Sequence, residues 1–508
     1  MAAAKCQNTP ILHEGSYDVK EVVELNFFDM TGEKANTKGT SNKFYHAELQ
    51  VEKNGGRAQL FTMYGPTGKV QAREYRCFSS FDEAKKEMDK IIKSKEKKGY
   101  TRIDVAQRAI GSDGAKQITK PVVFKNAEHL DAAPKSSLNE GQRRIVDIFF
   151  GAQANFVAQT LKCPLGQLSN EQIDKGREAL DKAKVIVNGN KRLSSDDTKE
   201  ILALTNTFYA TIPHNLGAGA RGQMSHLLLD TLDKIVAKEG DLDTLLDAKQ
   251  VNAVLKADSS SDDKYLSLNC DFDTVDPTSD LFKFLSGYFN DTKVRGHGYD
   301  ANKVARIWSM KRKDAKEAAF IKTTERIGKE NGRHTFASET ESLSHDKSKL
   351  WVPEKRPDLD KPLVKLYNDA NVWLCWHGTR SANLVGITRR GLMIRPTGAV
   401  YTGSLFGDGK YFAWQSTKSL NYCDGGYWTG GNRSISSRFM FLLDVSMGKQ
   451  HKSNRSQFFK CPPNGYHSVY GKAGSDMNGG TLRNDEMITY DFNDSNNQSG
   501  IRYLLEIV

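Results

Sequence analysis

The stretch Leu374-Cys375-Trp376-His377-Gly378-Thr379-Arg380 decides the reading of this 508-residue chain. Val372 to Trp376 is an apolar run that fits a buried strand, and it ends on a histidine followed by glycine. Downstream come Phe406-Gly407-Asp408-Gly409-Lys410-Tyr411-Phe412-Ala413 and Ser416-Thr417-Lys418-Ser419-Leu420-Asn421-Tyr422-Cys423. Asn484-Asp485-Glu486 follows, at the head of a further apolar strand, Met487 to Tyr490. Taken singly, each piece has an ordinary explanation: a satisfied histidine at a strand end, a glycine turn before core aromatics, a surface glutamate. Their order and their strand-turn contexts carry the information.

Outward from these motifs the chain divides by composition. Phe439 to Val445 and Ile501 to Ile507 read as further strands, and the charged stretch from about 322 to 360 reads as a surface insertion. Asp258 to Asp263 is a polar linker. From Leu138 to Leu255 the pattern is helical: Ile145, Ile148, Phe149 and Phe156 share one face, as do Ile201, Leu204 and Phe208, and then Met224, Leu227, Leu228 and Ile235. Ser169 with Gln172 makes a capping box. Tyr45 to Arg76 alternates β-forming and polar residues around turn signals at Asn54-Gly55-Gly56 and Gly65-Pro66-Thr67-Gly68, as antiparallel strands do. A helix follows, with Ala84, Met88, Ile91 and Ile92 on one face and lysines on much of the other. Turn-rich stretches at 111–114 and 134–136 close that unit.

Bulk properties set limits on function. No stretch approaches the ~18–20 apolar residues of a membrane helix, and Met1 to Glu14 lacks the layout of a secretory signal, so the chain reads as intracellular. The seven cysteines are scattered without a CxxC pair and signal neither a zinc site nor a disulfide framework. A formal charge of +11 favours a polyanionic partner, with solubility as the competing reading.

The ordered set of motifs resembles the catalytic signature of the poly(ADP-ribose) polymerases. The resemblance implies that His377, Tyr411 and Glu486 hold NAD and transfer its ADP-ribose, with NAD as cosubstrate and no metal. His377 would bond the adenine-side ribose, and the Gly378 backbone would pair with the nicotinamide carboxamide. Tyr411 and Tyr422 would sandwich the pyridine ring, and Ser419 would donate its hydroxyl to the carboxamide. Thr379 and Lys418 belong to the same donor pocket. Glu486 would bond the nicotinamide-ribose 2′-hydroxyl and activate an acceptor hydroxyl. The reaction passes through an oxocarbenium-like state, for which a nearby carboxylate is well suited. The loop from Arg395 to Leu405 departs from the family in lacking some of its basic and aromatic residues, so the resemblance does not reach the adenine-side contacts there.

Cys163 to Ser169 and Phe208 to His214 look like landmarks of the regulatory helical domain that, in the family, covers the donor pocket until an activator loosens it. The N-terminal unit is similar to a WGR domain, through Phe81-Asp82-Glu83-Ala84 and Lys97-Lys98-Gly99-Tyr100, but Tyr64-Gly65-Pro66 stands where Trp-Gly-Arg is expected. Tyr64 can still stack on a sugar, and Lys85, Lys97 and Lys98 are candidate phosphate contacts, with a solvated helix face as the alternative. The expected architecture is a multidomain α+β chain: a small antiparallel β-rich WGR-like domain over 1–120, an all-α bundle over 136–257, and an α+β transferase domain with antiparallel sheets over 264–508. The resemblance also implies a nuclear monomer that acts on proteins including itself, away from membranes, and is switched on by DNA with strand breaks.

Two rivals belong to other classes. An NAD oxidoreductase would need G-x-G-x-x-G between a strand and a helix, which is missing. A silent nucleic-acid or ADP-ribose scaffold would be expected to lack the histidine or the glutamate. Within the family, mono-ADP-ribosylation is the nearest alternative.

Overall fold

The structure is a computed structural model that describes residues 15–31, 40–66, 71–103, 136–161, 168–189, 193–214, 225–254, 259–294, 296–331, 353–392, 406–407, 409–426, 437–455, 457–476, 482–491 and 497–508, with 12 and 394. Turn signals at 67–68 and 111–114, Pro134-Lys135, most of Cys163 to Ser169, Gly217, Asp258, the loop 395–405 and Asp408 lie outside the described residues. The chain falls into two compact units, one of 1–132 with 154–253 and the other of 133–153 with 254–508.

The first unit opens with strands β1 (Tyr17–Asp29), β2 (Ser41–Glu52), β3 (Ala58–Pro66) and β4 (Ala72–Phe78), helix α1 (Phe81–Lys97) and the short β5 (Thr101–Ile103). They form one antiparallel sheet in the order β4-β3-β2-β1-β5. Ser80 caps α1 by accepting the Glu83 N–H. Ala84, Met88 and Ile92 are buried against Leu25, Ala47, Leu49 and Leu60. Full burial of Met88 and Ile92 stabilises the unit by about 1.5–3 kcal/mol each. The opposite side of β2 is polar yet buried: His46 binds Glu24 through Nδ1 and lies 3.0 Å from Glu48 through Nε2. Gln50 donates to Glu48 at 2.8 Å. Cys77 on β4 is disulfide-bonded, which the scatter of cysteines did not signal.

Helix α2 (Glu140–Thr160) is shared, since the division of the two units runs through it. Helices α3 (Asn170–Gly189), α4 (Ser195–Thr211) and α5 (Leu232–Val254) complete the first unit. The Ser169 box holds: its hydroxyl accepts from Gln172 N at 3.1 Å, and Gln172 Oε1 accepts from Ser169 N at 3.4 Å. Ile173, Leu180, Ile201, Phe208, Leu242 and Leu245 form the helical core. Leu227, Leu228 and Ile235 do not share one helical face, and Met224 lies outside the described residues. A 3-10 turn occupies Ser225–Leu227, and α5 begins only at Leu232. Leu229 N donates instead to Thr205 on α4 at 3.1 Å.

The second unit continues with α6 (Ser261–Ser267), β6 (Cys270–Thr274), α7 (Asp280–Asp291), β7 (Val304–Arg312), α8 (Lys316–Asn331), α9 (Lys361–Asp369), β8 (Val372–Gly378), α10 (Leu384–Arg390), β9 (Lys410–Phe412), α11 (Ser416–Leu420), β10 (Arg438–Ser446), β11 (Gln450–Arg455), β12 (Ser468–Asp476), β13 (Glu486–Thr489) and β14 (Ser499–Ile507). One sheet has the order β6-β7-β14-β10-β8, and another β11-β12-β13-β9. All pairs are antiparallel except β11 with β12.

Of the stretch 322–360, expected as a surface insertion, residues 332–352 lie outside the described residues, and the described ends are packed into the fold. Its first part lies in α8, where Phe320, Thr323, Thr324 and Ile327 are buried one helical turn apart. At its far end Arg356 is buried and binds Asp444 on β10. Asp444 also accepts from Tyr367 at 2.8 Å and Arg502 at 2.7 Å, so the buried carboxylate is matched by donors.

Candidate active site

The geometry begins with Trp376. Its ring is fully buried, stacks on Tyr288 at 5.4 Å and donates Nε1 to Thr292 at 3.1 Å, which pins the end of β8. Trp376 also exchanges backbone bonds with Ala413, at 2.7 and 3.1 Å, and so brings β9 alongside β8. Strand β9 pairs Tyr411 with Ile488 and Phe412 with Met487 of β13. Glu486 opens β13 and pairs with Gly471. Strand register thus draws His377, Tyr411 and Glu486, distant in sequence, onto adjoining strand ends.

His377 Nδ1 lies 3.3 Å from the Tyr411 carbonyl. A carbonyl can only accept, so Nδ1 carries the proton and Nε2 is left as the acceptor. Burial pulls the imidazole pKa down to about 4, against the opposing effect of that bond, so the ring is neutral at physiological pH.

Gly378 has a steric reason for being glycine. A Cβ there would lie 1.8 Å from the Ser419 carbonyl oxygen, so only glycine lets α11 approach β8 this closely. Gly407 has another, since its φ is +87° and a Cβ would meet the Phe459 backbone at 2.0 Å. The Tyr411 hydroxyl ties down that turn, donating to Gly407 O at 3.0 Å and accepting from Phe406 N at 3.1 Å.

Buried Lys418 on α11 reaches Glu486 Oε2 at 2.6 Å and the Asp485 carbonyl at 2.7 Å. Burial raises the Glu486 pKa; Lys418 opposes this and the Asp485 charge adds to it. Ser419 and Thr379 are buried, and Thr379 accepts from Asn383 at 2.9 Å. Tyr422, just past α11, is 43% exposed. Sequence reasoning passed over Asp485 and Trp414. The Trp414 indole donates to Asp485 Oδ2 at 2.8 Å, and both residues are buried. Asp485 stands within the Asn484-Asp485-Glu486 motif, but its contacts depend on strand register and carry no local signal. Among the described residues no group of three or more His, Cys, Asp or Glu could hold a metal ion, and no helix is long and apolar enough to cross a membrane.

In the N-terminal sheet Tyr64 stacks on Tyr45 at 5.5 Å and donates its hydroxyl to Glu74 at 2.7 Å. The Lys95 ammonium sits 4.2 Å from the Tyr45 ring and 5.4 Å from those of Tyr64 and Tyr100. Lys97 and Lys98 are exposed at the end of α1. Lys85 is a poorer phosphate contact than expected: it lies about three turns away along the helix and is paired with Glu21 and Asp89, both at 2.8 Å.

Three family models match the chain in order: the WGR domain over residues 28–107, the poly(ADP-ribose) polymerase regulatory domain over 146–276, and the poly(ADP-ribose) polymerase catalytic domain over 279–503. Poly [ADP-ribose] polymerase 1 of Gallus gallus is 27% identical over 354 residues, covering 67% of this chain and 29% of that protein. Poly [ADP-ribose] polymerase 2-B of Oryza sativa subsp. japonica is 25% identical, covering 89% of this chain and 63% of that protein. Protein mono-ADP-ribosyltransferase PARP3 of Mus musculus is 24% identical, covering 87% and 76%. The chain thus spans less than two thirds of the length of the first two relatives. With these three models in succession along it, the chain belongs to the poly(ADP-ribose) polymerase family.

Proposed function

We propose that the chain is an NAD-consuming protein ADP-ribosyltransferase that elongates poly(ADP-ribose), is activated by DNA ends and works in the nucleus in response to DNA damage. The observation that carries this reading is the Lys418–Glu486 pair at 2.6 Å, set beside the strand ends that hold His377 and Tyr411. In the proposed reaction the ribosyl C1′–N bond of NAD breaks, and the pyridinium nitrogen keeps the electron pair, leaving as neutral nicotinamide. The acceptor oxygen forms the new bond to C1′ and gives its proton to Glu486. Lys418 opposes the effect of burial on that carboxylate and holds it in place. Neutral His377 offers Nε2 as acceptor to a ribose hydroxyl, while the backbone of Gly378 beside it is the partner for a carboxamide.

The N-terminal sheet supports the DNA part of the proposal through Tyr64, and helix α1 through the exposed Lys97 and Lys98 at its end. A mono-ADP-ribosyl product is the second reading, favoured by the name of the Mus musculus relative at similar identity, 24%. Labelled NAD with acceptor protein, with and without nicked or blunt DNA, resolved on a gel, tests both. A ladder that strengthens with DNA is expected, a single DNA-independent band favours mono-transfer, and no label on protein refutes the transferase reading.

A further inference from the structure

Strand β13 begins at Glu486, so its neighbour Asp485 lies just beyond the β ladder and is not held by strand pairing. Its side chain supplies the missing restraint. One carboxylate oxygen accepts the Trp414 indole N–H at 2.8 Å, and the other accepts the Ala473 backbone N–H at 2.8 Å. These donors come from two flanking segments, one running from β9 into α11 and the other from β12. Both oxygens are engaged in a residue that is 5% exposed, which fixes the direction of its own carbonyl. That carbonyl accepts one Lys418 N–H at 2.7 Å, and Glu486 accepts another at 2.6 Å. The ammonium is therefore located by two acceptors from consecutive residues, one of them clamped.

We infer that Asp485, clamped by Trp414 and Ala473, is a positioning residue that aims Lys418 at Glu486 for the transfer step. The inference rests on the proposed function, because the pair it positions is the pair that would receive the acceptor proton. Around Glu486 stand Lys418 from α11 and Asp485 on its own segment. Asp485 in turn faces Tyr470 of β12, whose hydroxyl burial and the Asp485 charge both push up. Loosening the clamp weakens the hold of Lys418 on Glu486 and leaves the carboxylate more readily protonated. Contacts to His377 and Gly378 lie on another strand and are untouched, so substrate binding should be spared.

The test is a cycle of Trp414→Phe and Lys418→Met in the full chain, with nicotinamide release from NAD as the readout. Trp414→Phe keeps an aromatic ring but removes the donor together with part of the buried indole volume, which the comparison of backgrounds and Asp485→Asn control for. In the parent background kcat should fall about tenfold while KM for NAD stays within about twofold, the signature of an interaction made in the transition state. The acid limb of kcat should move to higher pH. In the Lys418→Met background, Trp414→Phe should change kcat by less than about twofold, because its route of action has been removed. Asp485→Asn should behave as Trp414→Phe does, and gives the same comparison if the tryptophan variant folds poorly. Equal fold losses in both backgrounds would reduce the clamp to packing and overturn the inference, as would an unchanged kcat in both single variants. A parent chain that releases no nicotinamide would instead refute the proposed function, and the clamp with it.

Discussion

Replacing Gly378 by alanine puts the site under the most local strain that one methyl group can apply. The added Cβ would sit 1.8 Å from the Ser419 carbonyl oxygen, 2.5 Å from its carbon and 3.1 Å from its Cα. Cβ contacts under 3.0 Å essentially never occur, and the obstacle is backbone, so α11 must withdraw by more than 1 Å. Lys418 precedes Ser419 and would be carried off its 2.6 Å contact with Glu486. Overpacking of this kind costs about 1–3 kcal/mol, and a displacement of ~1 Å at a reacting group costs about a hundredfold in rate. Transfer of labelled ADP-ribose should therefore fall about a hundredfold, with the Tm lowered by several degrees. Gly287 on α7 is the control, since a Cβ there meets nothing within 4 Å. Gly287→Ala should leave transfer unchanged and stability equal or slightly higher, by about 0.5–1 kcal/mol. If Gly378→Ala retains transfer within about threefold at an unchanged Tm, α11 does not press on β8 as described.

In the N-terminal sheet, both ring nitrogens of His46 face carboxylates, and these raise its pKa to about 10 against the opposing effect of burial. A raised pKa means that the folded state holds this proton more tightly than the unfolded one. The stabilisation is complete below about 6.5 and is lost as pH rises towards 10, so the urea midpoint of the parent should fall across that window. His46→Leu strands Glu24 and Glu48 without their cation and should cost about 3–5 kcal/mol, with that pH slope removed. A flat urea midpoint in the parent between neutral and alkaline pH would contradict the pairing. For nucleic acid, Lys97→Ala with Lys98→Ala should lower the salt slope of DNA-end binding by about 2, while Lys85→Ala changes it little. Equal effects from all three lysines, measured by fluorescence titration against salt, would rule out that division.

The sequence was most legible where a strand is buried along most of its length. Strand β10 is buried at every position and β14 at all but one, and both read directly as apolar runs. His377 and Glu486 stand at the ends of such runs, whereas Tyr411 lies within the three-residue β9, and all three were picked out by the order of their motifs. Strand β1 was missed because Glu24 and Asn26 interrupt its apolar pattern. Glu24 is paired with His46, and Asn26 donates to the Tyr209 and Ala210 carbonyls at 3.2 and 3.0 Å, partners far away in sequence. Helix α8 was hidden for a related reason. Two of its buried positions are threonines, and Thr324 meets Ser446 of β10 at 2.6 Å, a contact that no hydrophobic periodicity announces. Asp485 and Trp414 belong to this class as well, because their partners are set by sheet register rather than by local pattern.

The most direct test of the account is NAD turnover by the parent chain and by Glu486→Gln, in the presence of broken DNA, with nicotinamide release and product length read together. The parent should release nicotinamide and build a ladder. Glu486→Gln should lose about 10²–10³ in elongation while binding NAD within about threefold of the parent. An unaltered ladder from Glu486→Gln, or a parent that leaves NAD intact, would contradict the claim that these strand ends form an ADP-ribose transfer site.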